Sequence, residues 1–468
     1  MNNFKVSSKN NSSILNNFFQ GNKLPIIITA IFFFSMFYVA FIVADNTIWN
    51  QDGIWYYITG KEFFDGNSHN IQIINAPLGT PIIYAVLGDL FGMPSETAKS
   101  LSLISGTVIV LFSYFITKNI FGAKIAIITQ IIVAVNAKLH FLSVLALNEL
   151  MPIALIISSF YFLTKNELKN SDFVIIGILL GLSFMLRYQA ILVILGIVIF
   201  LFIRNKKIRS NALKSGILIL VFLTTASPIL IFNYMEYENP MENDGASYLM
   251  LSLFQFQNSE WRESITEMRE EGLISLILED PYLFAQNYFY NLFSHNPNRL
   301  FNFGVLDNLS VFPPIPILGF ITVVLGFLYT IKISKDKTTW ITISAFTLIA
   351  LLVFFVVDLA SGASTTGSSE YISPLAKSSG ITIQYYFALV FIPLLILGIF
   401  SVKKIQRNLL PLFIVSIIFF FSLSIIPVYR SYHFFLLLIP LSILNSIFIY
   451  EVLPKFVYRL TSLLKERN

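Results

Sequence analysis

The sequence predicts an all-α, polytopic membrane protein with about twelve spanning helices (eleven to thirteen), and three observations predict it. Of 468 residues, 56% are apolar and 12% are charged, where an ordinary soluble chain carries about a quarter charged residues. Mean hydropathy is +0.73. Apolar stretches near the roughly 20 residues that a spanning helix requires recur from one end of the chain to the other. No water-soluble fold accommodates that pattern, so residues 1–468 read as a single integral membrane domain.

The elements follow in order. A polar N-terminal tail holding Lys5, Lys9 and Lys23 leads into an unbroken apolar run over 25–44. Its length, and Ile42 where a cleavage site would want a small residue, mark a retained anchor and not a removed signal. Further spans are expected at 101–117, 125–141, 150–164, 173–186, 188–203, 216–233, 317–333, 340–357, 383–400, 409–426 and 434–450. The stretch 78–91 is apolar but short, and it contains Pro81, Gly88 and Asp89. Charge decides its place. If it lies flat at the membrane surface, 22 of the 31 Lys and Arg residues fall on the side of the N-terminus, against five of the 26 acidic residues. That bias is the positive-inside pattern, and it puts both termini, including the tail 451–468, in the cytoplasm. Treating 78–91 as a span would send Arg204, Lys206, Lys207, Arg209 and Lys214 outward.

Two long segments are therefore expected outside: a first loop over 45–100 with juxtamembrane helices, and a second over 234–316 with twelve acidic and three basic residues. In the second, Trp261, Ile265 and Met268 have helical spacing. Asp280-Pro281 predicts a helix start, with an N-cap residue followed by proline at the first helical position, running on through Tyr282, Phe284, Tyr288 and Phe289.

Several chemistries are disfavoured. The chain has no cysteine, hence no disulfide framework, thiolate zinc site or thiol nucleophile. Its four histidines, His69, His140, His295 and His433, form no metal-binding pair, and no Walker lysine loop or dinucleotide fingerprint is present. What remain are polar residues at the ends of apolar spans, costly positions that suggest function. Asp52, in Trp49-Asn50-Gln51-Asp52-Gly53-Ile54-Trp55-Tyr56-Tyr57, is a candidate general base beside aromatic residues Trp55 and Tyr56, although a solvated loop carboxylate or helix cap accounts for it equally. Glu149 precedes the span at 150–164, where the helix dipole alone would favour it. A divalent ion bridging Asp52 and Glu149 with His140 is an option that the donor chemistry leaves open. Arg187, in Met185-Leu186-Arg187-Tyr188-Gln189, stands between two short spans, and Arg430 and His433 precede the last span with Tyr432 between them. A planar guanidinium suits phosphate recognition, while snorkelling to headgroups is the plainer explanation. The predicted topology puts all these groups on one face. Tyr188, Gln189, Tyr432, Trp55 and Tyr56 flank these groups and are candidates for ligand contact.

Taken together, these segments resemble the GT-C glycosyltransferases that use lipid-linked sugars, the group of the protein O-mannosyltransferases and aminoarabinose transferases. The resemblance rests on Asp52 with Tyr56 and Tyr57, on Asn75-Ala76-Pro77-Leu78-Gly79-Thr80-Pro81, on Lys118-Asn119-Ile120-Phe121-Gly122, on Leu147-Asn148-Glu149, on the segment from Gly181 to Tyr188, and on Arg430 to Pro440. Two departures stand out: Gly53 where the group often has Glu, and Ala76 where it has the first of two prolines. The resemblance implies transfer of a sugar from a polyprenyl phosphate (undecaprenyl or dolichyl) to an acceptor hydroxyl of a protein, lipid or glycan. It also implies inversion, Asp52 as base and Glu149 as a second catalytic carboxylate. Arg187, Arg430 and His433 would then hold the donor phosphate on the extracytoplasmic face of a cell or endoplasmic-reticulum membrane. No nucleic-acid partner is expected. The alternatives are a transporter or flippase of lipid-linked glycans, and a polysaccharide polymerase or ligase.

Overall fold

The computed structural model describes residues 23–43, 51–66, 77–204, 208–241, 277–278, 281–290, 325, 409–425 and 435–466. Among these, every regular element is helical. Helix α1, Lys23–Tyr38, continues through a π-turn at Val39–Val43, and α2 is Gln51–Phe64. Next come α3, Gly79–Phe91, α4, Pro94–Phe121, α5, Ala123–Ala134, and α6, Ala137–Val144. Then follow α7, Leu150–Leu163, α8, Asn170–Leu186, α9, Ala190–Arg204, and α10, Ile208–Tyr237. Helix α11, Pro281–Tyr290, begins at the proline that marks it in the sequence. The last three are α12, Leu410–Leu423, α13, Leu438–Ile447, which runs into a π-turn at Phe448–Val452, and α14, Leu453–Glu466.

Nine of the expected spans fall within described helices. The other three, at 317–333 (apart from Leu325), 340–357 and 383–400, lie outside the described residues, as does the helix expected around Trp261. Among the described residues, four helices are individually long and apolar enough to cross a bilayer: Lys23–Val43, Pro94–Phe121, Ile208–Tyr237 and Phe435–Lys455. The expected span at 125–141 is a pair, α5 and α6, bent by 57°. Asn136 makes the break, because its side-chain oxygen accepts the Leu139 N–H at 2.9 Å and caps a new helix.

In a bilayer, helices associate through close packing and polar contacts, since lipid is as apolar as leucine. Both occur here. Gln130, fully buried on α5, donates to the Pro25 carbonyl at 2.9 Å and to Thr29 Oγ1 at 3.0 Å on α1. Thr129 Oγ1 donates to Ser446 Oγ on α13 at 2.9 Å. Helices α8 and α10 approach closely at Gly177 and Gly181, where an added Cβ would lie 2.9 Å from Val221 and 2.5 Å from Thr225.

The expected juxtamembrane stretch is α3, 13 residues long, folded back on α2. Its internal Asp89 accepts from Lys61 Nζ at 2.6 Å and from the Tyr57 hydroxyl at 2.7 Å, which satisfies a carboxylate in an otherwise apolar helix. The lysine and the phenol hold the Asp89 carboxyl below its ordinary value.

Candidate active site

The site is built where three chain breaks meet: the start of α2, the loop 145–149 between α6 and α7, and the break 187–189 between α8 and α9. Helix α7 starts at Leu150 with Glu149 in the cap position, yet the Glu149 side chain makes no cap hydrogen bond. Its carboxylate turns instead toward Arg187, whose Nη2 donates to Glu149 Oε1 at 3.1 Å and to Asn148 Oδ1 at 3.2 Å. Glu149 is 4% exposed and Asn148 not at all. A carboxylate that merely answered a helix dipole would not need this burial, and one so buried requires a cation.

Arg187 reaches this position because α8 ends there. The Arg187 backbone leaves the helical region at φ −155°, ψ 127°, while its N–H still donates to the Ser183 carbonyl. One turn back, Ser183 Oγ donates across to the Pro152 carbonyl at 3.0 Å and ties α8 to the first turn of α7. Two buried donors of this corner, Arg187 Nε and Asn148 Nδ2, have no protein partner among the described residues. They are suited to an oxygen-rich ligand. Glu149, Ser183, Arg187 and Gln189 line a small cavity of about 20 Å³ with Phe419 of α12 and Leu436, room for about one water molecule.

Asp52 joins this corner through a backbone contact. It lies in the first turn of α2, half-buried. A Cβ on the next residue, Gly53, would sit 2.6 Å from the Ala146 carbonyl oxygen. Only glycine permits that approach, which explains why Glu is absent at this position. The turn bearing Asp52 is thereby pressed onto the loop that leads through Asn148 to Glu149. Gly79, at the start of α3, similarly meets the Met185 backbone, two residues before Arg187.

The remaining predicted residues divide. Tyr56 packs edge-on against Tyr84, with ring centroids 6.1 Å apart, and Trp55 beside it is half-buried. Gln189 faces the cavity. Tyr188 turns the other way: its ring packs on Phe184 and its hydroxyl accepts from Asn233 Nδ2 at 2.8 Å, joining the break to α10. Arg430, Tyr432 and His433 lie outside the described residues.

The metal arrangement is not formed by the described residues. No group of three His, Asp or Glu side chains among them is placed to hold an ion. His140 does not join Asp52 and Glu149, because its Nε2 is hydrogen-bonded to the Ala134 carbonyl that the α5–α6 break releases.

Sequence reasoning missed Asn148, Tyr84 and Lys99. Tyr84 is fully buried beside Ser102, and burial together with the neighbouring Glu149 charge pushes its phenol well above the ordinary value. Lys99, 2% exposed, lies one turn before Ser102, whose hydroxyl donates to the Leu147 carbonyl at 3.1 Å. An apolar stretch conceals the tyrosine and a basic composition the lysine. Asn148 could have been found by its position beside Glu149.

Residues 75–232 match the family model of the dolichyl-phosphate-mannose-protein mannosyltransferases, a segment that holds Asn148, Glu149 and Arg187. The match bears out the resemblance to GT-C glycosyltransferases and the enzyme class. No curated protein matches the chain. Among solved structures, ArnT from Cupriavidus metallidurans bound to undecaprenyl phosphate aligns at 11% identity and a TM-score of 0.39, over 91% of this chain and 76% of that one. The oligosaccharyltransferase AglB from Archaeoglobus fulgidus, in complex with an inhibitory peptide and a dolichol-phosphate, aligns at 12% identity and 0.39, over 94% of this chain and 52% of that one. Its apo form gives 11% and 0.42. This chain spans about half the length of the archaeal enzyme.

Proposed function

We propose that this integral membrane protein, akin to the GT-C glycosyltransferases, transfers a sugar from a polyprenyl phosphate to an acceptor hydroxyl on the extracytoplasmic side of the membrane. The basic bias of one set of loops supports that sidedness. In this reading the acceptor oxygen attacks the anomeric carbon from the face opposite the leaving group. Its proton passes to the Asp52 carboxylate, and the bond from the anomeric carbon to the phosphate oxygen breaks with both electrons going to the lipid phosphate. The configuration inverts. A phosphate leaves without help from a general acid, so the protein's work is deprotonation and charge stabilisation. Arg187, steadied by Glu149 and Asn148, has its Nε–H to offer the leaving phosphate, as does the side-chain amide of Asn148. Glu149 then acts as the positioning residue for Arg187, and Arg430 and His433 are proposed as further phosphate ligands.

The observation that carries this reading is the approach of Gly53 to Ala146, with a would-be Cβ 2.6 Å from the Ala146 oxygen. It brings the turn that bears Asp52 onto the loop that leads through Asn148 to Glu149. The test is transfer by the purified protein from a panel of polyprenyl-phosphate sugars, comparing wild type with Asp52→Asn. The variant is expected to fold normally and to lose about 10²- to 10⁴-fold in rate, the usual worth of a positioned base. Undiminished transfer would overturn the assignment of Asp52, and donor translocation without transfer would favour a flippase.

A further inference from the structure

Asn233 stands near the end of α10, buried, and uses both hydrogens of its side-chain amide. Its Nδ2 donates to the Tyr188 hydroxyl at 2.8 Å and to the Pro240 carbonyl at 3.2 Å. A carbonyl oxygen only accepts, and that fixes the nitrogen of the amide on this side. One side chain thereby joins the break 187–189, the end of α10 and the turn that follows it.

Both ends of this clamp are placed by further contacts. At the break, the carbonyls of Arg187, Tyr188 and Gln189 accept from the N–H groups of Ala190, Ile191 and Leu192 and so open α9. The Tyr188 ring packs on Phe184, and Phe184 packs on Phe222 of α10 with centroids 5.3 Å apart. The residue next to Arg187 is therefore tied to α10 by its ring through Phe184 and by its hydroxyl directly. At the other end, Glu238 follows α10 with φ 56°, a left-handed conformation that is unusual for a side chain of this size. Such backbone persists where its surroundings over-determine it. Here Glu238 N–H donates to the Tyr234 carbonyl at 3.0 Å, Met241 N–H donates to Asn239 Oδ1 at 3.1 Å, and Asn233 holds Pro240. Either bond of Asn233 alone would be an ordinary polar contact within a bundle. Together they anchor the neighbour of Arg187 to a constrained turn.

We propose that Asn233 and Tyr188 are positioning residues for Arg187 in the transfer reaction. Glu149 and Asn148 hold the guanidinium, and the clamp holds the backbone that carries it. The inference rests on the function proposed above, in which Arg187 stabilises the departing phosphate. Stabilisation of that kind depends on placement to within about an ångström, so a loosened clamp slows the chemical step and leaves acceptor binding alone.

The test compares wild type, Asn233→Ala, Tyr188→Phe and the double variant as full-length proteins in nanodiscs. Tyr188→Phe keeps the ring on Phe184 and removes only the hydroxyl. Deuterium uptake over 187–190, read by mass spectrometry, needs no donor. It is expected to rise in every variant, with uptake over α5 unchanged. In transfer from a polyprenyl-phosphate sugar, Asn233→Ala should lose about 10- to 100-fold in kcat with the acceptor KM unchanged. Tyr188→Phe should move the same way, and the double variant should be no slower than Asn233→Ala, because the two residues act through one bond. Unchanged uptake over 187–190 would overturn the proposal, as would a rise shared by α5, which marks general loosening. So would rate losses that multiply in the double variant, or a raised acceptor KM with kcat intact. If wild type transfers from no donor, the proposed function falls and the catalytic role of the clamp with it, while deuterium uptake still decides whether the clamp holds the break.

Discussion

Two ion pairs in this molecule use the same chemistry in opposite settings. Lys61 and Asp89 meet at 2.6 Å on the α2–α3 hairpin with side chains 41% and 44% exposed. Arg187 and Glu149 meet at the longer distance of 3.1 Å with side chains 17% and 4% exposed. Distance alone would rank the first pair higher. Burial reverses the order, because water screens the hairpin pair, whereas neither member of the deeper pair can lose its partner without stranding a charge. The hairpin pair makes a polar helix end tolerable at a surface. The buried pair fixes the orientation of a guanidinium.

That contrast can be broken by substitution, and the largest effect should fall on the buried pair. Glu149→Leu leaves Arg187 stranded and is expected to cost about 3–5 kcal/mol, read as a drop in thermal unfolding temperature in detergent. The double variant Glu149→Leu, Arg187→Leu should regain much of that stability while remaining inactive. Additive losses would show that the two residues do not act as a pair. Gly53→Glu comes next. Forcing a side chain against the Ala146 carbonyl should cost about 1–3 kcal/mol, as overpacking does, and transfer should be lost even though a carboxylate has been gained. Thr129→Val, which removes the hydrogen bond to Ser446, provides the scale for an ordinary contact between membrane helices. About 0.6 kcal/mol is expected, with transfer unchanged.

The smallest effect belongs to the exposed pair, and its pH dependence identifies it. The folded pKa of Asp89 is depressed, first by the Lys61 hydrogen bond and then by Tyr57. Its contribution is therefore complete above the ordinary carboxylate range and is lost as pH falls through the lowered folded value. Lys61 is shifted upward by the same contact, so its share is complete below the ordinary lysine value and is lost only as pH rises through the raised one. Unfolding curves of wild type and Asp89→Asn should differ slightly at neutral pH and approach each other both in acid and once pH passes the raised Lys61 value. A difference at neutral pH as large as that of the Glu149 variant would erase the distinction between the two pairs.

The sequence is most informative where one physical quantity dominates. Hydropathy located nine apolar segments that coincide with described helices, four of them long and apolar enough to cross a bilayer, and the Asp280-Pro281 pair anticipated α11. The bias of basic residues groups Asp52, Glu149 and Arg187 on one expected face, and the backbone contact at Gly53 brings the segments of the first two together. What stayed hidden depends on contacts between distant residues. The pairing of Arg187 with Glu149 spans 38 positions, and no local pattern marks it. The span at 125–141 reads as continuous because Asn136 is a small interruption in hydropathy, although it ends one helix and begins another. The freed Ala134 carbonyl occupies His140, and so the residue whose type suggested a metal ligand serves the backbone instead.

Gly53 also has an electrostatic consequence. In the proposed reaction, an anionic lipid phosphate drawn toward Arg187 approaches whatever charge the first turn of α2 carries, and Coulomb repulsion between like charges grows as water is excluded. With glycine at this position, that turn presents the Asp52 carboxylate alone. In that reaction, the fit of two backbones at Gly53 therefore also keeps a second negative charge out of the path of a negatively charged donor.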